Sequence, residues 1–186
     1  MSKLHIEIKR PNVIRLVAME SAYIAVKRAD ADTLCDIVPI VEADEEILIP
    51  MWKKSCASLL SFLRLHLRRE NGFVLSAHYD VNGFRASLMR PSLPFGEGRG
   101  GVLPLPFGEG RGEVFGEGQG DVLRQSFCTS LTAYLTKDIL ATWLSMALPE
   151  REPSCRAEAD EILLSLERLI VSCRHPMRVR KRMEVV

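Results

Sequence analysis

The chain has 186 residues, of which 47% are hydrophobic and 26% are charged, and these proportions are ordinary for a soluble globular protein. The formal net charge of +1 excludes a globally basic nucleic-acid coat and an acidic solvating tail. No apolar run reaches the roughly 18 residues that a bilayer span requires, so we expect a cytoplasmic protein without a membrane partner.

The first predicted elements are a strand and a helix. The segment Lys3–Lys9 alternates apolar and polar residues, which is typical of a short half-buried strand. A helix over residues 12–28 is predicted from apolar residues that recur at helical spacing, namely Val13, Leu16, Val17 and Ile24.

A second, long helix is predicted to follow Asp44 and to end at Gly72. Acidic residues in its first turn favour the helix dipole. One apolar stripe runs along it, formed by Leu48, Trp52, Cys56 (or Ser55), Leu59, Leu63 and Leu67. Because an internal proline removes a hydrogen bond, we expect the regular helix to start near Pro50.

A β-hairpin is predicted next, with strands over residues 73–79 and 84–89. Asn82 and Gly83 lie between the two strands. This dipeptide favours a type I′ turn, which needs a positive φ at both central positions. We therefore expect both residues to adopt left-handed backbone angles.

Residues 91–122 contain 10 of the 12 glycines and a repeated sequence. The copies read LPFGEGRGGV, LPFGEGRGEV and, in shorter form, FGEGQGDV. Glycine loses more conformational freedom on folding than any other residue, and each copy offers few apolar side chains in return, so we predict a long, disordered, flexible insertion. Residues 93–122 also resemble the peptide produced when bacterial intergenic DNA repeats are translated. That resemblance implies an insertion into one older domain, formed by residues 1–90 and 123–186.

The repeat contains Gly96, Gly98 and Gly101 in the GxGxxG spacing of dinucleotide-binding loops. That function needs a preceding strand and a helix that starts at the last glycine. Here the motif runs into Val102-Leu-Pro-Leu-Pro106, which cannot form a helix. We therefore predict no nucleotide cofactor.

Two further helices are predicted, over residues 121–148 and 154–174. The apolar face of the first comprises Leu123, Phe127, Leu131, Tyr134 (or Leu135), Ile139, Trp143 and Ala147. That of the second comprises Ala159, Ile162, Leu163, Leu166, Leu169, Ile170 and Cys173. The resulting fold class is mainly α, a four-helix domain with a small β-hairpin or sheet and the Gly-rich insertion.

No catalytic or metal-binding constellation is evident. The histidines (His5, His66, His78 and His175) and the five cysteines (Cys35, Cys56, Cys128, Cys155 and Cys173) form no ligand motif. We expect a non-enzymatic protein with no metal and no cofactor, and reduced cysteines that serve as structural residues. A catalytic function would need a pocket that gathers groups such as His78 and Asp80 from different elements.

The C-terminal segment is basic. It contains Arg174, Arg178, Arg180, Lys181 and Arg182. With Glu184 subtracted, the charge over residues 174–186 is +4, so the rest of the chain carries −3. Such a segment can contact nucleic-acid phosphates or an acidic protein surface, or it can simply be a solvated tail.

Several features resemble uncharacterised proteins encoded in prophages of gut bacteria. The residues that carry the resemblance are Tyr23-Ile-Ala-Val-Lys-Arg28 before an Asp-rich break, Asp44-Glu-Glu46 leading to Trp52 and Cys56, Tyr79-Asp-Val81, and Tyr134-Leu-Thr-Lys-Asp-Ile-Leu-Ala-Thr-Trp143. The helix–hairpin–helix order also resembles the small head–tail connector proteins of tailed phages, which are ring-forming adaptors without catalytic activity.

Two functions are therefore expected from the sequence. The first is a phage-derived structural or assembly protein that contacts copies of itself or neighbouring phage structural proteins, with a virion location if the prophage is functional. The second is a small nucleic-acid-associated protein that uses the basic C-terminal residues.

Overall fold

A computed structural model of the chain describes residues 3–29, 38–67, 74–89 and 117–174. The elements in chain order are β1 (Lys3–Lys9), α1 (Arg10–Ala29), α2 (Glu45–His66), β2 (Val74–Tyr79), β3 (Gly83–Met89), α3 (Glu117–Ala147) and α4 (Glu152–Arg174). The predicted class, four helices with a small sheet, is confirmed. None of the described helices combines the length and the apolar character that a membrane span needs.

The sheet has three antiparallel strands in the order β1-β3-β2. The register aligns Ile6 with Ala86 and Ala77 across the three strands. Because side chains alternate between the two faces of a strand, these residues lie on the face that packs on the helices. The opposite face carries polar residues such as His5 and Arg85 and is open to solvent.

Helix α3 lies at the centre of the domain and contacts α1, α2, α4 and β1. Its side chains Leu131, Leu135 and Ile139 are fully buried. The predicted stripe on α2 is buried along its whole length, from Leu48 to Leu67. Burial of these aliphatic and aromatic side chains, at about 25 cal/mol for each Å² of apolar surface, drives the folding of the domain.

Two residues assigned to the core are exposed instead. Leu16 points outward from α1, and Ala147 is exposed at the end of α3, where Leu148 is buried in its place. Because an α-helix advances by 100° per residue, the α3 stripe, extended over six or seven turns, drifts away from the core by Ala147. Leu16 lies 100° around α1 from the buried Val17, away from the side that packs inward.

Helix α2 differs from the prediction at both ends. It begins at Glu45, and Pro50 lies inside it. The first turn forms because the N–H groups of Ile47 and Leu48 donate to the carbonyl of Asp44 and because the Leu48 side chain is buried. At the other end the helix stops at His66, before Gly72, which lies outside the described residues.

The hairpin forms where it was predicted, but its turn lies one residue earlier. The N–H of Asp80 donates to the carbonyl of Gly83, so Val81 and Asn82 are the two central residues. The φ of Gly83 lies outside the left-handed region, so the expected positive φ at this residue is wrong. Glycine is required for space, because a Cβ on Gly83 would lie 2.6 Å from the Ile8 carbonyl oxygen.

The insertion predicted over residues 91–122 needs a new boundary. Residues 117–122 belong to α3, which starts at Glu117, because a helix held in the core from Leu123 onward can continue outward at a modest cost even through glycine. The remaining part, residues 91–116, lies outside the described residues.

Candidate functional site

A cluster of polar side chains, buried at its centre and partly exposed at its edge, connects all four helices. We call it the helix junction; its members are Glu20, Ser55, Tyr134, Lys137, Asp138, Glu152, Cys155, Arg156 and Glu158. Several buried titratable groups lie close together in it.

Asp138 of α3 forms the centre of the helix junction and is 6% exposed. One carboxylate oxygen accepts a hydrogen bond of 2.6 Å from the Ser55 hydroxyl of α2. The other is bonded to the guanidinium of Arg156 of α4, whose Nε also contacts Glu152 at 3.1 Å. A buried carboxylate must be paired to offset its lost hydration, and here the partners come from two other helices.

Lys137, the next residue of α3, connects α1 and α4. Its ammonium lies 2.7 Å from a Glu20 carboxylate oxygen and 2.9 Å from one of Glu158. Burial acts against the ammonium charge, but the hydrogen bonds to the two glutamates outweigh it and raise the pKa of Lys137.

The nucleophilic groups of this region are held in their protonated forms. Burial raises the pKa of the Cys56 thiol to about 12 and that of Cys155 to about 11, and burial followed by the nearby Asp138 raises the pKa of Tyr134. The Cys155 thiol donates to the Lys137 carbonyl at 3.3 Å. Because reactive cysteines need a lowered pKa, this chemistry favours a structural tie between the helices over a reaction centre.

A second polar cluster surrounds the turn between β2 and β3. The Asp80 carboxylate accepts hydrogen bonds from the backbone N–H groups of Asn82 and Gly83, at 2.7 and 2.9 Å. The backbone carbonyl of Asp80 accepts a hydrogen bond of 2.8 Å from the Trp52 indole N–H. The Arg10 N–H donates to the Asn82 carbonyl. We call this cluster the hairpin junction. It anchors the turn to α1 and α2.

His78 and Asp80, the groups considered above for a catalytic function, lie at the end of β2 and directly after it. His78 is exposed on the solvent face of the sheet, and the Asp80 carboxylate is occupied by backbone N–H groups. A separate cavity of about 450 Å³ between β1 and α3 is lined by His5, Glu7, Asp121, Arg124, Gln125 and Cys128. Across the described residues no group of three His, Cys, Asp or Glu side chains is placed to hold a metal ion.

The most unusual surface feature is the outward face of α1. Leu16, Met19, Tyr23 and Val26 are 37 to 63% exposed, and their spacing of three, four and three residues places them on one face. A surface helix ordinarily presents polar residues there. We call these four residues the α1 stripe.

Other exposed apolar residues are more scattered. On α4, for example, Leu164 and Val171 are 55% and 44% exposed, but the exposed residues between them, Ser165 and Arg168, are polar. Single exposed apolar residues are common on protein surfaces, whereas a continuous patch marks an interaction surface. The α1 stripe is therefore the candidate interaction surface of the described chain.

Sequence reasoning overlooked the α1 stripe. Leu16 was assigned to the core, while Met19, Tyr23 and Val26 were assigned to no face. The available signal was the presence of two apolar stripes on one helix, since Val13, Val17 and Ile24 already supply the side that packs inward.

The structure does not place the side chains of the basic residues predicted to bind a partner. Arg174 is the last residue of α4, and its side chain, like Arg178, Arg180, Lys181 and Arg182, lies outside the described residues. Comparisons of the chain with protein-family models, with curated proteins and with solved structures found no match.

Proposed function

We propose that this chain is a non-enzymatic assembly protein that acts through protein–protein contacts, in the manner of the phage head–tail connector adaptors that it resembles. The α1 stripe is the observation that carries the proposal. It offers apolar side chains over three helical turns, on a helix whose opposite side is already packed in the core. Burying such a face against a partner removes its apolar surface from water, which is the main favourable contribution to protein association.

The order of elements supports the proposal. Helix α2, the hairpin of β2 and β3, and helix α3 follow one another in the chain, which is the helix–hairpin–helix order on which the resemblance to connector proteins was based. The helix junction also supports the proposal. Its charged side chains form hydrogen bonds and ion pairs between helices, which is a structural role.

The test compares two double variants with matched spacing. Met19→Lys with Val26→Lys places two charges in the α1 stripe, seven residues apart. Leu164→Lys with Val171→Lys places two charges on exposed apolar residues of α4, also seven residues apart. Mass measured by light scattering over a concentration series, alone and with neighbouring phage structural proteins, reports association.

We expect the parent to associate with itself or with a neighbouring protein. The variant of the α1 stripe should lose that association, and the α4 variant should keep it, with both variants folded by circular dichroism. A parent that remains a monomer and binds no neighbouring protein would contradict the proposal, as would equal behaviour of the two variants.

Nucleic-acid association is the second candidate function, favoured by the charge of +4 over residues 174–186. Phosphate contacts make binding to duplex DNA fall by about 0.9 log unit per log unit of salt for each contact. We expect binding at low salt that disappears when residues 174–186 are deleted. Absent binding, or binding unchanged by the deletion, would reject this candidate.

A further inference from the structure

The two outer strands of the sheet are protected to different degrees. On β1 the inward side chains Ile6 and Ile8 are buried. This strand contacts α3 and α1, whereas β2 contacts α2. On β2 the corresponding side chains, Leu75, Ala77 and Tyr79, are only half-buried, and the alternate residues are exposed. No backbone group of the described chain other than those of β3 is hydrogen-bonded to a residue of β2.

The pairing with β3 determines which backbone groups of β2 face outward. Asp80 and Gly83 form a hydrogen-bonded pair at the turn, and such pairs alternate with non-bonded pairs along an antiparallel ladder. His78 and Ser76 therefore direct their N–H and C=O groups toward β3. The N–H and C=O groups of Leu75, Ala77 and Tyr79 point to the open edge.

Within the described residues, this edge carries none of the sequence features that usually prevent strand pairing. Natural edge strands carry charged residues, proline or a bulge. The sequence of β2 is VLSAHY, with no Lys, Arg, Asp, Glu or Pro, and its register with β3 is continuous over six residue pairs, without a bulge. The strand is therefore suited to accept another strand.

We propose that the open edge of β2 pairs with β2 of a second copy of this chain, antiparallel and centred on Ala77, to form a six-stranded sheet. This inference rests on the proposed function and identifies one of its contacts. In this register Ala77 faces its own counterpart, and Leu75 faces Tyr79 of the second copy. By symmetry Tyr79 also faces Leu75 of the second copy, and each of these three pairs forms two backbone hydrogen bonds.

The side chains are compatible with self-pairing. Leu75 and Tyr79 come together on the inward face, where an aliphatic–aromatic pair is favourable in an antiparallel sheet and covers two half-buried residues. On the solvent face Ser76 lies opposite His78 of the second copy, in a closely spaced pair that is not hydrogen-bonded. Neither residue carries a fixed charge that would repel its counterpart.

The test uses the opposition of residues 76 and 78. In Ser76→Glu with His78→Glu, two pairs of glutamates face each other across the interface. In Ser76→Lys with His78→Glu, lysine faces glutamate in both pairs. The two variants differ only at residue 76, and both positions are solvent-exposed, so the core is unaffected. Sedimentation equilibrium of the full chain measures the dissociation constant of the dimer, with circular dichroism as the check on folding.

We expect the parent to form a dimer whose dissociation constant rises about tenfold or more in the like-charged variant, because like charges directly opposite each other destabilise a strand pair. The opposite-charged variant should restore the parent value to within about threefold. A monomeric parent would overturn the proposal, since it would mean that the edge is covered by another segment of this chain or serves a different protein. A dimer insensitive to both charge variants would also overturn it.

These outcomes are distinct from failure of the proposed function. A dimer that is lost in the like-charged β2 variant but kept in the variant of the α1 stripe supports the β2 contact and shows that this dimer does not use the stripe. Association that is lost only in the variant of the α1 stripe supports the assembly function and rejects the β2 contact.

Discussion

The helix junction and the hairpin junction each depend on one aspartate, but the two carboxylates act in different ways. Asp138 is buried and binds side chains that are 83 and 18 residues away in the sequence. Asp80 is exposed and binds backbone N–H groups only two and three residues away. The first aspartate ties distant elements together, whereas the second shapes a local turn.

This difference has an energetic consequence. Removing one partner from a buried charged pair leaves the other partner without compensation for its lost hydration, whereas water can replace a lost partner at an exposed site. We therefore expect substitutions in the helix junction to affect the whole domain, and those at the exposed carboxylate of the hairpin junction to have smaller effects.

The largest effect is expected for Asp138→Ala. This change leaves the buried Ser55 hydroxyl without its partner and the partly exposed Arg156 guanidinium with Glu152 alone, and we expect the free energy of unfolding to fall by about 3 kcal/mol. In a chain of this size this corresponds to a drop in Tm of about 6–12 °C. Urea and thermal unfolding measure it.

Two controls accompany this variant. Ser55→Ala removes one hydrogen bond and should cost about 1 kcal/mol. Asp121→Ala, on the same helix, removes an exposed aspartate whose distance to Arg124 is 3.7 Å, and should leave the Tm unchanged. An Asp138→Ala protein as stable as the Asp121→Ala protein would show that the buried cluster does not hold the helices together.

The second effect concerns the backbone of the hairpin junction. In Gly83→Ala the new Cβ would lie 2.6 Å from the Ile8 carbonyl oxygen, so β1 and β3 must move apart locally. We expect a loss of about 1–3 kcal/mol, the range for overpacking, together with faster amide hydrogen exchange in β1. Ser87→Ala, on the same strand, is the control. Unchanged exchange in β1 would mean that the turn moves aside without loss.

The third effect concerns the exposed side of the helix junction. In Lys137→Met the contacts with Glu20 and Glu158 are lost but the aliphatic part of the side chain remains. Because the ammonium is partly open to solvent, we expect a loss of about 0.5–1 kcal/mol that shrinks at high salt. Arg124→Met, which removes a more exposed ion pair, should cost less. A loss independent of salt would point to packing as its cause.

The two junctions also show how much of this structure could be predicted from sequence. The strand at Lys3–Lys9, the stripe from Leu48 to Leu67 and the hairpin all follow from local periodicity and turn preference, and all were predicted. The partners of Asp138 were not, because nothing local relates residues 55, 138 and 156. Only the packing of three helices brings them together.

The structure also differs from the prediction at the start of α2 and at the hairpin turn, and again contacts between residues distant in the sequence are the cause. The start of α2 at Glu45 depends on the burial of Leu48 and on a contact between Glu45 and Arg10, 35 residues away, which outweigh the local cost of Pro50. The need for glycine at residue 83 also depends on a distant residue, because the Ile8 carbonyl on β1 leaves no room for a Cβ there. Of the candidate surfaces, the α1 stripe has a visible spacing, but its exposure depends on which side of α1 packs inward.

The smallest predicted effect is that of Asp80→Asn, and it depends on pH. The N–H groups of Asn82 and then Gly83, with Arg85 and His78 nearby, lower the pKa of Asp80 below its ordinary value of 3.8. A carboxyl with a lowered pKa in the folded state stabilises the fold above the unfolded pKa, and this contribution is lost as the pH falls through the folded value.

The parent should therefore unfold at a slightly higher urea concentration than Asp80→Asn at about pH 6, and the difference should narrow below about pH 3.8. Ser87→Ala, on the same hairpin, provides a comparison, since it removes no titratable group and its effect should not follow this acid transition. A difference between parent and Asp80→Asn that stays constant down to about pH 3 would mean that it does not come from the charge of Asp80. Equal unfolding of the two proteins at about pH 6 would mean that the amide oxygen of asparagine serves the turn as well as the carboxylate does.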